Sequence, residues 1–528
     1  MSYHILVADH LPDAGWDLLR AAPDATLAGP FATRADLLAA LPTADALIIR
    51  STTTVDAALL DAAPRLKVVA RAGARLDNVD LDETTRRGVL VLSAPSANVV
   101  AVAEHTFAML LALARHIPQG YNAVRAGEWP RHTMLGFQLH GKQLGVVGFG
   151  RLGRAVAERA QAFGMHVLVY DPYVDLALAR ERRVEPVGFE ELLARADIVT
   201  LHTNYTAQTH HILNAAALAH MKPSAYLVNC THAGLVDEQA LLAALNNHQI
   251  AGAALDVFAV EPPVGNPLTS HPRVLVAPHL NQNTVESQTA TAEQIVTAVL
   301  DALRGVDYRN AVNLPFNNGV SYQEALPYLQ LAAKLGKLQG QLAEGWITRL
   351  EVELLGNGLR ELVRPVAAVL LSGMLLPVEG RPVNWISAPM LAHAQGITTA
   401  QVKGLYQLDD YPNLIACRAY WAGGHRTIGG VLFANGQARV VLYDNFHVDA
   451  SPSGYVLVLE NDDVPGVIGK VGTKLGEAGV NIGEWRYGRD LPGGQAVSFI
   501  NLDSRPPSYL LKTLETYPEI HRARLVRL

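Results

Sequence analysis

The chain has 528 residues, 49% of them hydrophobic and 17% charged; at about 150 residues per domain that predicts three or four domains with real cores and excludes a disordered chain. Forty-three basic against 49 acidic side chains leave a net charge of −6, which gives no electrostatic case for nucleic acid or an anionic membrane as partner. Two cysteines, Cys230 and Cys417, exclude a disulfide scaffold, and with neither a signal-peptide pattern nor an apolar run of about 18 residues the expected compartment is a reducing cytoplasm.

Short apolar runs at Ile5–Ala8, Ala46–Ile49, Val68–Ala70 and Val89–Leu92 predict strands. Between them Ala14–Ala21, Arg34–Leu41 and Asp56–Ala62 have helical patterning, and such alternation predicts a parallel sheet covered by helices. A helix is expected over about 99–115. The rhythm restarts with strands at Leu144–Val147, Val167–Tyr170, Ile198–Leu201, Tyr226–Asn229, Gly252–Asp256 and Val274–Ala277, and a helix at Arg154–Phe163. A helix from Glu286 to Arg304 is expected to return to the first lobe. The turn-rich stretch Asn313–Gly319 reads as a linker. Beyond it the chain is helical at Leu326–Leu342 and then strand-rich, and from 453 on it follows a β-α-β-β-α-β order. The expected architecture is α/β: two doubly wound lobes, Rossmann-like and flavodoxin-like, with a cleft between them. An α+β domain and a ferredoxin-like module follow. The expected boundaries are 1–98 plus 285–312, 99–284, 319–452 and 453–528.

The strand ending at Val147 runs into Gly148-Phe149-Gly150-Arg151-Leu152-Gly153. In such a loop the first glycine permits the turn, the second admits a pyrophosphate, and the third lets helix and strand pack closely. Asp171 follows Gly153 by 18 residues at the end of the next strand, where an acid accepts a ribose hydroxyl and repels a 2′-phosphate. The expected cofactor is therefore NAD.

Further segments carry a resemblance. They are Arg50-Ser51-Thr52-Thr53, Arg71-Ala72-Gly73, Leu76-Asp77-Asn78-Val79-Asp80, Ala94-Pro95-Ser96-Ala97-Asn98, Val236-Asp237-Glu238, Leu255-Asp256-Val257-Phe258 with Glu261-Pro262, and Pro278-His279. With the glycine loop, they make the chain resemble, nearly end to end, the long-form D-3-phosphoglycerate dehydrogenases of the D-2-hydroxyacid dehydrogenase superfamily. The resemblance implies NAD-dependent oxidation of D-3-phosphoglycerate to 3-phosphohydroxypyruvate, the first step of L-serine biosynthesis, or the reverse reduction. It implies His279 as acid/base with Glu261 as its partner. It implies Arg50, Arg71 and Arg131 toward the substrate phosphate, with Ser51 and Asn98 as neutral donors. It implies Asp256 and the Cys230 carbonyl toward the nicotinamide carboxamide.

The pattern departs where the family has an arginine: Asn229-Cys230-Thr231-His232-Ala233-Gly234 puts His232 there. A neutral imidazole cannot grip a carboxylate as a guanidinium fork does. Arg75 stands where the family has glycine, Asn281-Gln282-Asn283-Thr284 replaces a small-residue segment, and a usual proline is missing around Asn204-Tyr205. One reading has Arg75 supply the lost cation from the opposite lobe. The alternatives are a dehydrogenase for a different D-2-hydroxy acid and an inactive NAD-binding regulator. The last 75 residues resemble an ACT domain, which implies L-serine as effector, with Asp463 and Asn481 as contacts. The expected assembly is a homodimer or homotetramer.

Overall fold

A computed structural model describes residues 2–316, 321–356, 359–375, 383–406 and 411–528. Among them the strands form four sheets. The first comprises β1 (Tyr3–Val7), β2 (Ala25–Ala28), β3 (Ala46–Ile49), β4 (Val68–Arg71) and β5 (Leu90–Leu92), ordered β2-β1-β3-β4-β5. All its pairs are parallel, and this is the flavodoxin-like order. Strands β3, β4 and β5 are buried along their whole length, as helix-covered parallel strands must be.

The second sheet holds β6 (Gln143–Val147), β7 (His166–Tyr170), β8 (Glu185–Pro186), β9 (Ile198–Leu201), β10 (Tyr226–Asn229), β11 (Gly252–Leu255) and β12 (Val274–Val276). Its order is β12-β11-β10-β9-β6-β7-β8, the dinucleotide-fold order with its switch point between β6 and β9. The helix Val99–Ala114 sends Ala103, Phe107 and Leu110 into the core of this sheet. The helix Val285–Arg304 instead packs Ala292, Ile295, Val296 and Val299 with Ile5, Val7 and Ile48 of the first. No single described helix is long and apolar enough to cross a bilayer; the bent pair Val99–Ala114 and Ile117–Arg125 passes only together.

The third sheet is mixed: β13 (Ile347–Leu355), β14 (Thr398–Gln401), β15 (Leu414–Trp421), β16 (Gly424–Leu432), β17 (Ala438–Tyr443) and β18 (Phe446–Ala450), ordered β14-β13-β15-β16-β17-β18. The helices Tyr322–Leu342 and Val363–Met374 share its apolar core. The fourth is antiparallel: β19 (Tyr455–Asp462), β20 (Ile482–Arg489), β21 (Gln495–Leu502) and β22 (Ile520–Arg527). Its order, β20-β21-β19-β22, with helices Val467–Glu477 and Ser508–Leu514, is ferredoxin-like. Buried Arg426 ties the two units together. It donates to the Leu342 carbonyl at 2.5 Å and lies 3.3 Å from Glu460, which also accepts the Tyr443 hydroxyl.

Several elements differ from expectation, the two-residue edge strand β8 among them. Strand β2 was not anticipated, because Ala-Thr-Leu-Ala at a sheet edge has no sustained apolar pattern. Nor was the helix Ile117–Arg125, which starts after His116 in the left-handed region, with proline in its first turn. The helix expected at Arg154 begins at Arg151, with Gly150 as N-cap, so the third glycine of the loop lies inside its first turn. Of the expected linker, Asn313 is fastened to the first lobe through Val89, Val91 and Thr85, and residues 317–319 lie outside the described residues.

Candidate active site

His279 closes the turn after β12, and its φ is +56°, in the left-handed region that costs a non-glycine residue energy. Asp256, fully buried at the end of β11, holds that turn. Its carbonyl accepts from the His279 N–H at 3.0 Å, and its carboxylate accepts from Leu280 N–H at 2.8 Å and Asn281 N–H at 3.0 Å. So pinned, the His279 Nδ1 lies 2.7 Å from Glu261 Oε2, while Glu261 Oε1 accepts from the Phe258 N–H at 3.1 Å. The carboxylate thus accepts a hydrogen bond from Nδ1–H, which leaves Nε2 as the nitrogen that can give or take a proton.

Three arginines of the first lobe gather opposite. Arg71 is buried, with Nε donating to Asn78 Oδ1 at 3.0 Å. Asn78 in turn donates to the Arg50 and Thr53 carbonyls at 2.6 and 2.5 Å. The Arg50 loop is fixed by Asp9, which accepts from the Arg50 N–H and from the Thr52 and Thr53 hydroxyls. Arg75 reaches Asp77 at 3.3 Å. Burial holds the Arg71 guanidinium below its ordinary range, Asp77 opposes this, and the charges of Arg75 and Arg50 add to it. Cations that repel one another in this way attract an anion.

His232, at the start of the short turn after β10, is the meeting point of the two lobes. Burial lowers its pKa first. The charge of Arg75 lowers it further, Asp77 and Glu261 raise it, and His279 lowers it. Its Nδ1 accepts from the Gly234 N–H at 3.0 Å. His232 is therefore a neutral donor, and the positive charge that acts on it belongs to Arg75 of the first lobe. Arg131 does not join the group: it is exposed on the loop before β6, and among the described residues its side chain makes no hydrogen bond or ion pair. Ser51 is exposed, and Asn98 donates to Gln282 at 3.1 Å.

The glycine loop lies at the switch point of the second sheet. Gly148 has φ +94°, and a Cβ there would stand 2.7 Å from the His202 carbonyl carbon. A Cβ on Gly153 would stand 2.0 Å from the Gly148 carbonyl oxygen, whereas one on Gly150 meets nothing within 4 Å. Two glycines are thus demanded by the fold and the middle one by space left open in front of a helix whose N-terminus no side chain caps. Asp171 accepts from the Phe149 and Tyr173 N–H groups at 2.8 and 2.9 Å.

Residues 107–281 match the family model described as the D-isomer specific 2-hydroxyacid dehydrogenase NAD-binding domain, and residues 324–443 match the D-3-phosphoglycerate dehydrogenase intervening domain. The chain is 38% identical to the D-3-phosphoglycerate dehydrogenase of Bacillus subtilis, over 92% of this chain and 93% of that one. To that of Methanocaldococcus jannaschii it is 35% identical, over 99% of each. The chain belongs to the D-3-phosphoglycerate dehydrogenase family. Among solved structures, the Aquifex aeolicus D-lactate dehydrogenase complexed with NAD and lactic acid superposes with a TM-score of 0.51, covering 57% of this chain and 96% of that one at 27% identity.

The dehydrogenase is thus NAD-dependent, and the loop fits the cofactor: open space at Gly150 and the uncapped helix N-terminus suit a pyrophosphate. Arg151 is exposed at that terminus, and Leu152 is half-buried behind it. At the nicotinamide end the two expected acceptors are already engaged: Asp256 as described, and the Cys230 carbonyl by the Asn281 Nδ2 at 2.7 Å. The carbonyl keeps a second lone pair for a carboxamide. Burial and the Asp256 charge push the Cys230 thiol far up, so it is no nucleophile. Sequence reasoning missed His105, whose Nε2 lies 3.1 Å from Asp256 Oδ1. The available signal was a histidine in the apolar helix Val99–Ala114. In the last module Asp463 already accepts from Tyr487, Arg489 and the Gly493 N–H, and Asn481 donates to Asp503 at 2.6 Å.

Proposed function

We propose that the cleft oxidises the C2 hydroxyl of D-3-phosphoglycerate, or reduces the corresponding 2-oxo acid. The observation that carries this reading is the convergence at His232 of Arg75 and Asp77 from one lobe with Glu261 and His279 from the other. Bound NAD supplies the hydride acceptor. His279 Nε2 takes the hydroxyl proton, and Glu261, 2.7 Å from Nδ1, stabilises the imidazolium that results. Arg75 holds the substrate carboxylate in place of the guanidinium missing at position 232, and Arg50 and Arg71 hold the phosphate.

The last module is read as an ACT domain that takes L-serine, its ferredoxin-like order being the support. An effector there has to displace the present partners of Asp463 and Asn481. A homo-oligomer is supported by exposed Ile117, Tyr121, Val124 and Trp129 on one helix and the loop after it. Two buried free thiols support a cytoplasmic setting.

The test is NADH consumption with 3-phosphohydroxypyruvate, with and without L-serine, by wild type and Arg75→Ala. Loss of one charge-assisted contact predicts about a hundred-fold lower kcat/KM in the variant. An unchanged kcat/KM rejects the compensation by Arg75. Wild-type turnover that prefers another 2-oxo acid rejects the phosphorylated substrate, and rates unmoved by L-serine reject the effector.

A further inference from the structure

Two of the departures noted in the sequence, at Tyr205 and His232, touch in space. The Tyr205 ring lies on the His232 imidazole with centroids 4.3 Å apart and planes 4° from parallel. The tyrosine hydroxyl meets His210 Nδ1 at 3.1 Å, and His210 stacks in turn on His211. Room for the tyrosine comes from Gly234, where a Cβ would stand 2.6 Å from Tyr205 Cε2. The same Gly234 donates its N–H to His232 Nδ1 at 3.0 Å.

These contacts leave His232 one free polar edge. A ring nitrogen that accepts from a backbone N–H has no proton of its own, so a neutral imidazole carries its proton on the other nitrogen. One ring face is covered by Tyr205 and the Nδ1 edge is held by the backbone, so Nε2–H alone is available. The charged groups around it are Arg75 and Asp77 on the first lobe and Glu261 and His279 on the second.

We propose that Tyr205 is a positioning residue that, together with the Gly234 amide, fixes His232 as an Nε2–H donor to the C2 oxygen of the acid bound beside His279. Tyr205 touches neither substrate nor cofactor; it acts by removing the rotations and the second tautomer open to a free imidazole. The inference rests on the function proposed above, in which Arg75 supplies the charge and position 232 is left to supply direction only. It also explains why the two sequence changes occur together: an imidazole is too short to be held by reach, and a stacked ring holds it by its face.

The test uses the full chain with ¹⁵N-labelled histidine, the His232 signals assigned by difference from His232→Gln. Wild type and Tyr205→Phe, which keeps the stack, are expected to show a bare Nδ1 and a protonated Nε2, and Tyr205→Leu an averaged pair. In 2-oxo acid reduction Tyr205→Leu is expected to lose about ten-fold in kcat/KM, mainly in kcat, with NADH affinity unchanged, while Tyr205→Phe stays within about two-fold. A wild-type signal with the proton on Nδ1 overturns the proposal, and so does a Tyr205→Leu enzyme with wild-type kcat/KM. Wild type without turnover on any 2-oxo acid removes the function proposed above, and the imidazole signals then still decide the role of Tyr205.

Discussion

His202 follows β9 and lies buried against the glycine turn, with Nε2 2.9 Å from the Thr200 hydroxyl and Nδ1 without a partner among the described residues. Burial lowers its pKa to about 3. The unfolded chain binds a proton there near the ordinary pKa of about 6.5, and the folded chain does not until far lower pH. The stability this neutral form contributes is whole above that value and is lost progressively as pH falls toward 3. Between pH 7 and 5 the wild type is expected to lose about 2 kcal/mol more than His202→Gln. Denaturant midpoints of the two proteins across that range check this, and parallel slopes contradict it. Residue roles were legible to different depths. His279 and Glu261 are marked by the segments around them, Pro278-His279 and Glu261-Pro262, which carry the family resemblance. The Tyr205–His232 stack is not, because the two rings stand 27 positions apart in the chain. Asp256 was marked as a cofactor contact, yet its backbone partners are set by the left-handed turn at His279, which no spacing discloses.

At the scale of the element, the helix Arg151–Ala162 shows what the glycine loop needs from each of its glycines. Gly153 shares one buried face with Val156, Ala157 and Ala160, the i, i+3, i+4, i+7 stripe of a core-facing helix. An alanine at 153 forces its methyl onto the Gly148 carbonyl oxygen, 2.0 Å away, and separates helix from strand. Gly153→Ala is expected to cost about 2 kcal/mol or more and to lose NADH binding as a consequence. Gly150 has an extended backbone and open space around its Cβ. Gly150→Ala is therefore expected to cost less than about 1 kcal/mol while weakening NADH binding by about ten-fold or more, because the methyl stands where the pyrophosphate approaches. Thermal denaturation beside NADH fluorescence titration separates the two, and equal losses in both variants contradict the assignment. Strands such as β3, β9 and β10 were legible to the residue, being apolar runs bounded by polar turns. Edge strand β2 was not, because its Ala-Thr-Leu-Ala earns its place from the Tyr3–Leu6 partners rather than from its own composition.

For the whole molecule, the decisive feature is the seam between the first lobe and the third sheet's unit, centred on Asn384 and Trp385. Asn384 donates to the Gly88 carbonyl at 2.8 Å, while its own Oδ1 accepts from the Ile386 and Ser387 N–H groups. Next to it the Trp385 ring lies 5.3 Å from Tyr308, 5.7 Å from Phe316 and 6.2 Å from Tyr322. These rings come from both sides of the chain segment that joins the two units. Beside them Ile386 packs into the first lobe's core, and a cavity of about 520 Å³ opens, walled by Arg65, Lys67, Arg87 and Arg304 as well as Asn384 and Trp385. Removing the Trp385 ring leaves Tyr308 and Phe316 linked through Tyr322 alone. Trp385→Ala is therefore expected to destabilise the chain by about 3 kcal/mol, and Asn384→Ala by about 1 kcal/mol. The glycine loop belongs to a different sheet, so NADH affinity is expected to stay within about two-fold of wild type in both. Denaturant unfolding read against NADH titration checks both halves. A Trp385→Ala protein with wild-type stability shows that the seam is held elsewhere, and one that loses NADH binding in step with stability shows that the two lobes and the third unit unfold as one.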